Sequence, residues 1–317
     1  MNRLIDFLGS AFATLFGPLL GVLARRRRSL PAFQAVCDRI GIQLRSTHYY
    51  EPTYRLDDLP KSGWVERDLP GIRFGKDQQL ALLAQLRYQA ELAAMPDVFP
   101  LLGQFGWKND MFSYGDGEIY YSFVRHFKPR RIIEIGSGSS TQLALAAIDA
   151  NVREDCSKRG DLTCIEPYEN AWIDKTAATL IRERVEDLDL SIFDKLGSGD
   201  ILFIDSSHVI RPSGDVTREI LQILPRLKEG VLVHIHDIFT PRDYPDNWTK
   251  QERRLWNEQY LLEAWLSGNQ TVEIVCALNW LKHNCWDALT AACPMLRQNP
   301  HAEPGSFWMR IGDSKFQ

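Results

Sequence analysis

Hydrophobic and polar positions follow three different rhythms along this chain. The first is nearly unbroken: Leu4 to Ala24 carries Asp6 as its only charge, with small residues (Gly9, Ser10, Gly17, Gly21) and Pro18 inside. Its length, roughly 20 residues, is what a helix needs to cross a bilayer. The second rhythm is helical. Leu30 to Ile40 and Asp77 to Met95 place apolar residues (Leu80, Leu83, Leu86, Ala90) at helical spacing, on either side of an irregular Tyr- and Pro-rich stretch from His48 to Pro70. From Lys128 the third rhythm alternates strands with helices. Short apolar runs predict strands at Arg131–Ile135, Leu162–Ile165, Arg184–Val185, Asp200–Asp205 and Val231–Ile235. Helices are predicted at Thr141–Ala150, Ala171–Ile181, Asp215–Leu227 and Gln251–Leu266, and half-buried late strands at Thr271–Ala277 and Ser306–Ile311. Repeated βα units imply an α/β fold, a mostly parallel seven-stranded sheet with helices on both faces and an N-terminal helical extension. The expected organisation is an apolar segment with its arginine cluster over 1–28, a helical region over 29–113, and the α/β domain over 114–317.

Charge changes this picture at one place. The net charge of −4 over 317 residues creates no field that would draw in nucleic acid, and no nucleic-acid partner is expected. Arg25 to Arg28, however, directly follow the apolar run, and such a cluster holds the C-terminal side in the cytoplasm. The expectation is a cytoplasmic protein anchored to the inner face of a membrane through residues 4–28. Two alternatives stay open: a cleaved signal peptide, with Val22-Leu23-Ala24 as its small-residue site, and a helix lying on the membrane or packing on the domain. The six cysteines form no CxxC and no zinc-type spacing, so they read as reduced thiols.

The first strand ends in Glu134-Ile135-Gly136-Ser137-Gly138-Ser139-Ser140-Thr141. Two glycines let the backbone turn sharply and bring bare amides close to a ligand. The third position of a GxGxxG dinucleotide loop is Thr141 here, and a pyrophosphate would not welcome the acid Glu134, whereas a cationic amino-acid moiety would. This ExGxGxxT pattern resembles the first motif of class I S-adenosylmethionine-dependent methyltransferases, whose fold is Rossmann-like. The resemblance covers about residues 110–312. It implies S-adenosyl-L-methionine as cofactor, with Glu134, Gly136, Ser137, Gly138 and Thr141 around its methionine part. It also implies Glu166, ending the second strand, on the ribose hydroxyls, and Glu186 and Asp187, after the third, near adenine. A polar insert, Asn151–Asp161, accounts for the long spacing from Gly136 to Glu166.

The fourth and fifth strands end in Asp205-Ser206-Ser207-His208 and His234-Ile235-His236-Asp237. Ligands on open parallel sheets sit beyond such strand ends, so Asp205, His208, His236 and Asp237 should converge. His234 is expected to point the other way, into the core. The arrangement resembles the metal-dependent O-methyltransferases of catechol and macrolide-sugar type. That resemblance implies Asp205, His236 and Asp237 as ligands of Mg²⁺ or Mn²⁺, Asp205 also beside the cofactor, and His208 as base. An imidazole at 236 departs from the catechol pattern, which has aspartate there, and suits Mn²⁺, Fe²⁺ or Zn²⁺ better than Mg²⁺. The loop Thr240–Trp248 and the run Trp256–Tyr260 read either as a substrate lid rich in aromatic faces or as a core helix presenting Trp256 and Tyr260 on one side.

The function these features imply is O-methylation of a hydroxylated acceptor: a sugar, a glycolipid or a small metabolite. The rivals are a hydroxylase-like relative of the same fold, an NAD-dependent oxidoreductase, and a membrane-tethered protein that binds the cofactor without catalysis.

Overall fold

A computed structural model describes all residues except 49, 62–63, 99–102, 169–171 and 313–317, and of Arg28 only the backbone. The chain forms two compact units, residues 1–63 with 249–255, and residues 64–248 with 256–317.

The first unit contains helices α1 (Asn2–Arg26) and α2 (Pro31–Arg39). α1 is long and apolar enough to cross a membrane, with Phe7, Leu15 and Leu19 among its exposed side chains. Within this unit, Glu51 accepts hydrogen bonds from Arg27 and Arg45, and the Tyr54 hydroxyl donates to the carbonyl of Thr249.

The second unit is built on a seven-stranded sheet in the order β3-β2-β1-β4-β5-β7-β6. Its strands are β1 (Arg131–Ile135), β2 (Asp161–Ile165), β3 (Thr179–Ile181), β4 (Ile201–Ile204), β5 (Leu232–Ile235), β6 (Val272–Ala277) and β7 (Phe307–Ile311). The first five run parallel, and β7 is antiparallel to both β5 and β6. The helices of this unit are α3 (Lys76–Leu83), α4 (Gln89–Ala93), α5 (Asp116–Phe127), α6 (Ser139–Glu154), α7 (Asp215–Arg218), α8 (Glu258–Leu266), α9 (Leu278–Asn284), α10 (Trp286–Ala292) and α11 (Pro294–Gln298). One face of the sheet is sealed by a core of Ile119, Phe123, Leu143 and Leu281 with Leu83 and Leu92, the other by Val216, Ile220, Ile223 and Leu262. Burial on both faces is why the central strands read as unbroken apolar runs.

Several local expectations are corrected. The helix expected over 171–181 is, in its described part, a short 3-10 turn at Ile173–Lys175 followed by β3, which pairs Thr179 with Thr163 and Ile181 with Ile165. Sheet pairing outweighs the helical bias of the Thr-Ala-Ala-Thr run there. The third strand therefore precedes Arg184–Val185. The helix expected over 141–150 runs on into the polar insert: α6 continues through Asn151 to Glu154, where the Asn151 side chain is buried and donates to the carbonyl of Val124. The helix expected over 215–227 is α only to Arg218, then one π turn (Glu219–Ile223) and a 3-10 turn. Pro225, which has no N–H to offer, sits in that last turn. The helix expected from Gln251 starts at Glu258.

Candidate functional site

Strand ends assemble the site. Backbone bonds tie each one to its neighbour: Gly136 N–H donates to Ile165, Glu166 to Ile181, Asp205 to Ile135 and His236 to Ile204. Glu166, Gly136, Asp205 and His236 therefore stand in a row along the carboxyl edge of the sheet, where the strand order reverses between β1 and β4.

Gly136 takes a positive φ of 80°, and a Cβ there would lie 1.9 Å from the carbonyl oxygen of Asp205. Only glycine lets the turn pass that close to the end of β4. Gly138 differs, since a Cβ there would meet nothing within 4 Å. Its backbone faces open space that a ligand can fill. Glu134 lies beneath the loop, fully buried, and not in contact with the cleft: its Oε1 accepts from the Tyr120 hydroxyl at 2.9 Å and its Oε2 from the Thr141 hydroxyl at 2.6 Å. Thr141 Oγ1 in turn accepts the Gly138 N–H. Burial pushes the Glu134 carboxyl up to about 7, against the opposing pull of these hydrogen bonds. Glu134 and Thr141 thus shape the turn from below. Glu166, half-buried, receives the Ser137 N–H on Oε2 at 3.2 Å and the Tyr168 N–H on Oε1 at 2.9 Å, which aims the carboxylate at the glycine loop. Farther out, Asp187 is exposed and engaged by Arg184 at 2.9 Å, with Glu186 beside it in a 3-10 turn.

At β4 and β5 the structure regroups the expected residues. Asp205, His208 and Asp237 each offer a donor atom, and the three atoms lie within 4.8 Å of one another. His208 Nε2 is 3.3 Å from Asp205 and 3.6 Å from Asp237. His236 is not part of this group. Its Nε2 is 3.5 Å from the other oxygen of Asp237, its Nδ1 is buried without a partner, and its ring packs 5.0 Å from Phe112. His234 is a core residue bonded to the Ser306 hydroxyl, as a buried imidazole requires, but it lies on the same side as His236, ring centroids 5.7 Å apart. Residues two apart on a strand share a face, which the expectation of opposite directions overlooked.

The residue that sequence reasoning missed is Glu258. It begins α8, is fully buried, and places Oε2 2.9 Å from His208 Nδ1. The His208 carbonyl accepts the N–H groups of Asn257 and Glu258, and the Ile210 N–H bonds to the Asn257 side chain. Three carboxylates therefore surround one imidazole. Burial alone would depress His208, yet Asp205 and Glu258 hold it well above the usual histidine range. Burial would likewise raise Asp205, but His236 and then His208 bring it to about 2. Both His208 and Asp237 adopt positive φ, 59° and 56°, a strain that non-glycine residues keep where packing enforces it, often at functional sites. Trp256 lies outside α8, so the reading of a helix face shared with Tyr260 fails. Its ring packs against His208 at 4.3 Å and against Trp248 at 5.1 Å.

Residues 133–238 match the family model described as a methyltransferase domain. That stretch of the chain is thus similar to a methyltransferase domain. An uncharacterized protein of Archaeoglobus fulgidus is 28% identical over 162 residues, 47% of this chain and 72% of that one. Among solved structures, an O-methyltransferase from Bacillus cereus in complex with SAH aligns at 13% identity over 74% of this chain and 91% of its own, with a TM-score of 0.36. The MycE methyltransferase of the mycinamycin biosynthetic pathway, in complex with Mg, SAH and mycinamycin VI, aligns at 16% identity over 76% of this chain and 62% of its own, with a TM-score of 0.37. The family match runs from β1 to just beyond β5 and so includes both the glycine loop and the Asp205–His208–Asp237 group.

Proposed function

We propose that this methyltransferase transfers the methyl group of S-adenosylmethionine to a hydroxyl oxygen of a small metabolite or glycan. The observation that carries this reading is His208, whose imidazole is clamped by Glu258 on Nδ1 and turns Nε2 toward Asp205 and Asp237 beside the glycine loop. The open backbone at Gly138 fits the methionine part of the cofactor, and Glu166 retains lone pairs for the ribose hydroxyls. Asp205 and Glu258 hold a proton on His208, so their charge must be offset before Nε2 can take the acceptor proton as the oxygen–carbon bond forms and the carbon–sulfur bond breaks, leaving S-adenosylhomocysteine. Trp256, half-buried beside His208, and Trp248, half-buried against Trp256, offer the flat faces on which a sugar or aromatic acceptor would rest.

The donor set also fits a divalent cation, because the acids outnumber the one imidazole and their charge calls for a counterion. Asp205 and Asp237 would hold it, and it would acidify and orient the acceptor hydroxyl. Screening hydroxylated acceptors by mass spectrometry for the gain of one methyl tests the activity. Stabilisation by NAD and not by S-adenosylmethionine in a thermal-shift comparison would favour the oxidoreductase instead. His208→Ala should keep cofactor affinity and cut turnover by about 10²–10⁴. The closeness of Nε2 to both aspartates supports a second reading, His208 as a cation ligand, and loss of bound Mn²⁺ in His208→Ala would decide for it. We also propose that α1 and the adjoining arginines attach the protein to an anionic membrane surface, a reading supported by the exposed apolar length of that helix.

A further inference from the structure

We propose that Tyr54 is a positioning residue for the acceptor wall: by clasping the segment 249–255 it holds Trp248 against Trp256, and Trp256 against His208. Only the word acceptor rests on the methyl-transfer reading; the geometry does not. The two rings meet edge to face at 5.1 Å, and the Trp256 ring lies 4.3 Å from that of His208. Outside the pair the chain is fixed on both sides. The Trp248 N–H donates to the Pro245 carbonyl, and the Asn257 N–H to the His208 carbonyl. The seven residues between the two rings, 249–255, fold instead with residues 1–63.

Within that unit the half-buried Tyr54 closes the segment into a loop. Its hydroxyl lies 2.9 Å from the Thr249 carbonyl oxygen and 3.1 Å from that of Arg254, so one O–H is shared between acceptors near the two ends. Burial raises the Tyr54 hydroxyl above its ordinary value against the opposing pull of Arg253, which keeps it a neutral donor. Arg253 itself takes a positive φ of 57°, a conformation that a non-glycine residue keeps where its surroundings enforce it. Thr249 is bonded directly to Trp248, and Arg254 stands two residues before Trp256. Losing the hydroxyl releases both carbonyls together, and the freedom the segment gains passes straight into the two rings.

Fluorine NMR of the full-length protein labelled with 5-fluorotryptophan, in detergent micelles, tests this without substrate. Tyr54→Phe keeps the ring and loses only the hydroxyl. It should shift or broaden the resonances of Trp248 and Trp256, each assigned by its Trp→Phe variant, and leave those of the fully buried Trp107 and Trp308 in place. With an acceptor found by the mass-spectrometric screen, the same variant should raise the acceptor KM about five-fold, on the order of one hydrogen bond, with kcat and S-adenosylmethionine affinity nearly unchanged. Unmoved Trp248 and Trp256 resonances overturn the proposal, as does an unchanged acceptor KM. Equal movement of Trp107 and Trp308 also overturns it, because Tyr54 would then support the fold at large. Should the resonances behave as expected while no acceptor is methylated, the methyl-transfer reading fails and the positioning role stands.

Discussion

Two glycines in one loop do opposite jobs, and single substitutions separate them. Gly136 is demanded by the fold: a methyl group there would collide with the Asp205 carbonyl at a positive φ. Gly136→Ala should cost on the order of 3 kcal/mol or more, seen as a large drop in the denaturant midpoint. Gly138, extended and with open space around it, has no such role. Gly138→Ala should fold normally yet bind S-adenosylmethionine more weakly, because its methyl group takes up ligand volume. Glu166→Ala should weaken the same binding by roughly 1–3 kcal/mol, the worth of charge-assisted hydrogen bonds. Calorimetry on folded protein reads both, and unchanged affinity in both variants would remove the cofactor from this loop.

Among elements, the start of β1 is bolted to the turn before β4 by one buried acid. Asp200 Oδ1 accepts the N–H groups of Arg130 and Arg131, and Oδ2 accepts that of Gly197. This junction aligns β1 with β4, and through them the glycine loop with Asp205 and His208. Removing the acceptor strands three donors at once, so Asp200→Ala should lose about 3 kcal/mol in chemical denaturation, and Asp200→Asn distinctly less because it keeps one oxygen. The expected strand at this place was Asp200–Asp205, which included Asp200 as a strand residue. Its actual work as a side-chain acceptor across the sheet depends on β1 lying next to β4, a neighbour seventy positions away in the chain.

For the whole molecule, the open question is where the domain works. An apolar helix that exposes Phe7, Leu15 and Leu19 to water is costly unless something covers them. The full chain should sediment with membranes and bind vesicles containing anionic lipid, more weakly as salt rises, because the arginine contribution is screened. A chain beginning at Ser29 should remain in the supernatant, and equal partitioning of the two would end the tether proposal.

Residue order alone determined much of this protein. Parallel βα alternation, the glycine loop after β1, the acid ending β2 and the chemistry-bearing ends of β4 and β5 are local signals, written in periods of two and of three to four and in glycine placement. Local signals also misled where they were weak: β3 is three residues long on the sheet edge, and the Thr-Ala-Ala-Thr run before it favours helix until β2 offers a partner. Which acids and imidazoles meet was decided only by tertiary structure. Glu258 and His208 are fifty residues apart, and Glu134 pairs with Tyr120 and Thr141 from three different elements. The physical reason is that a buried carboxylate must find its hydrogen-bond partner wherever packing leaves one, and no spacing along the chain encodes that meeting.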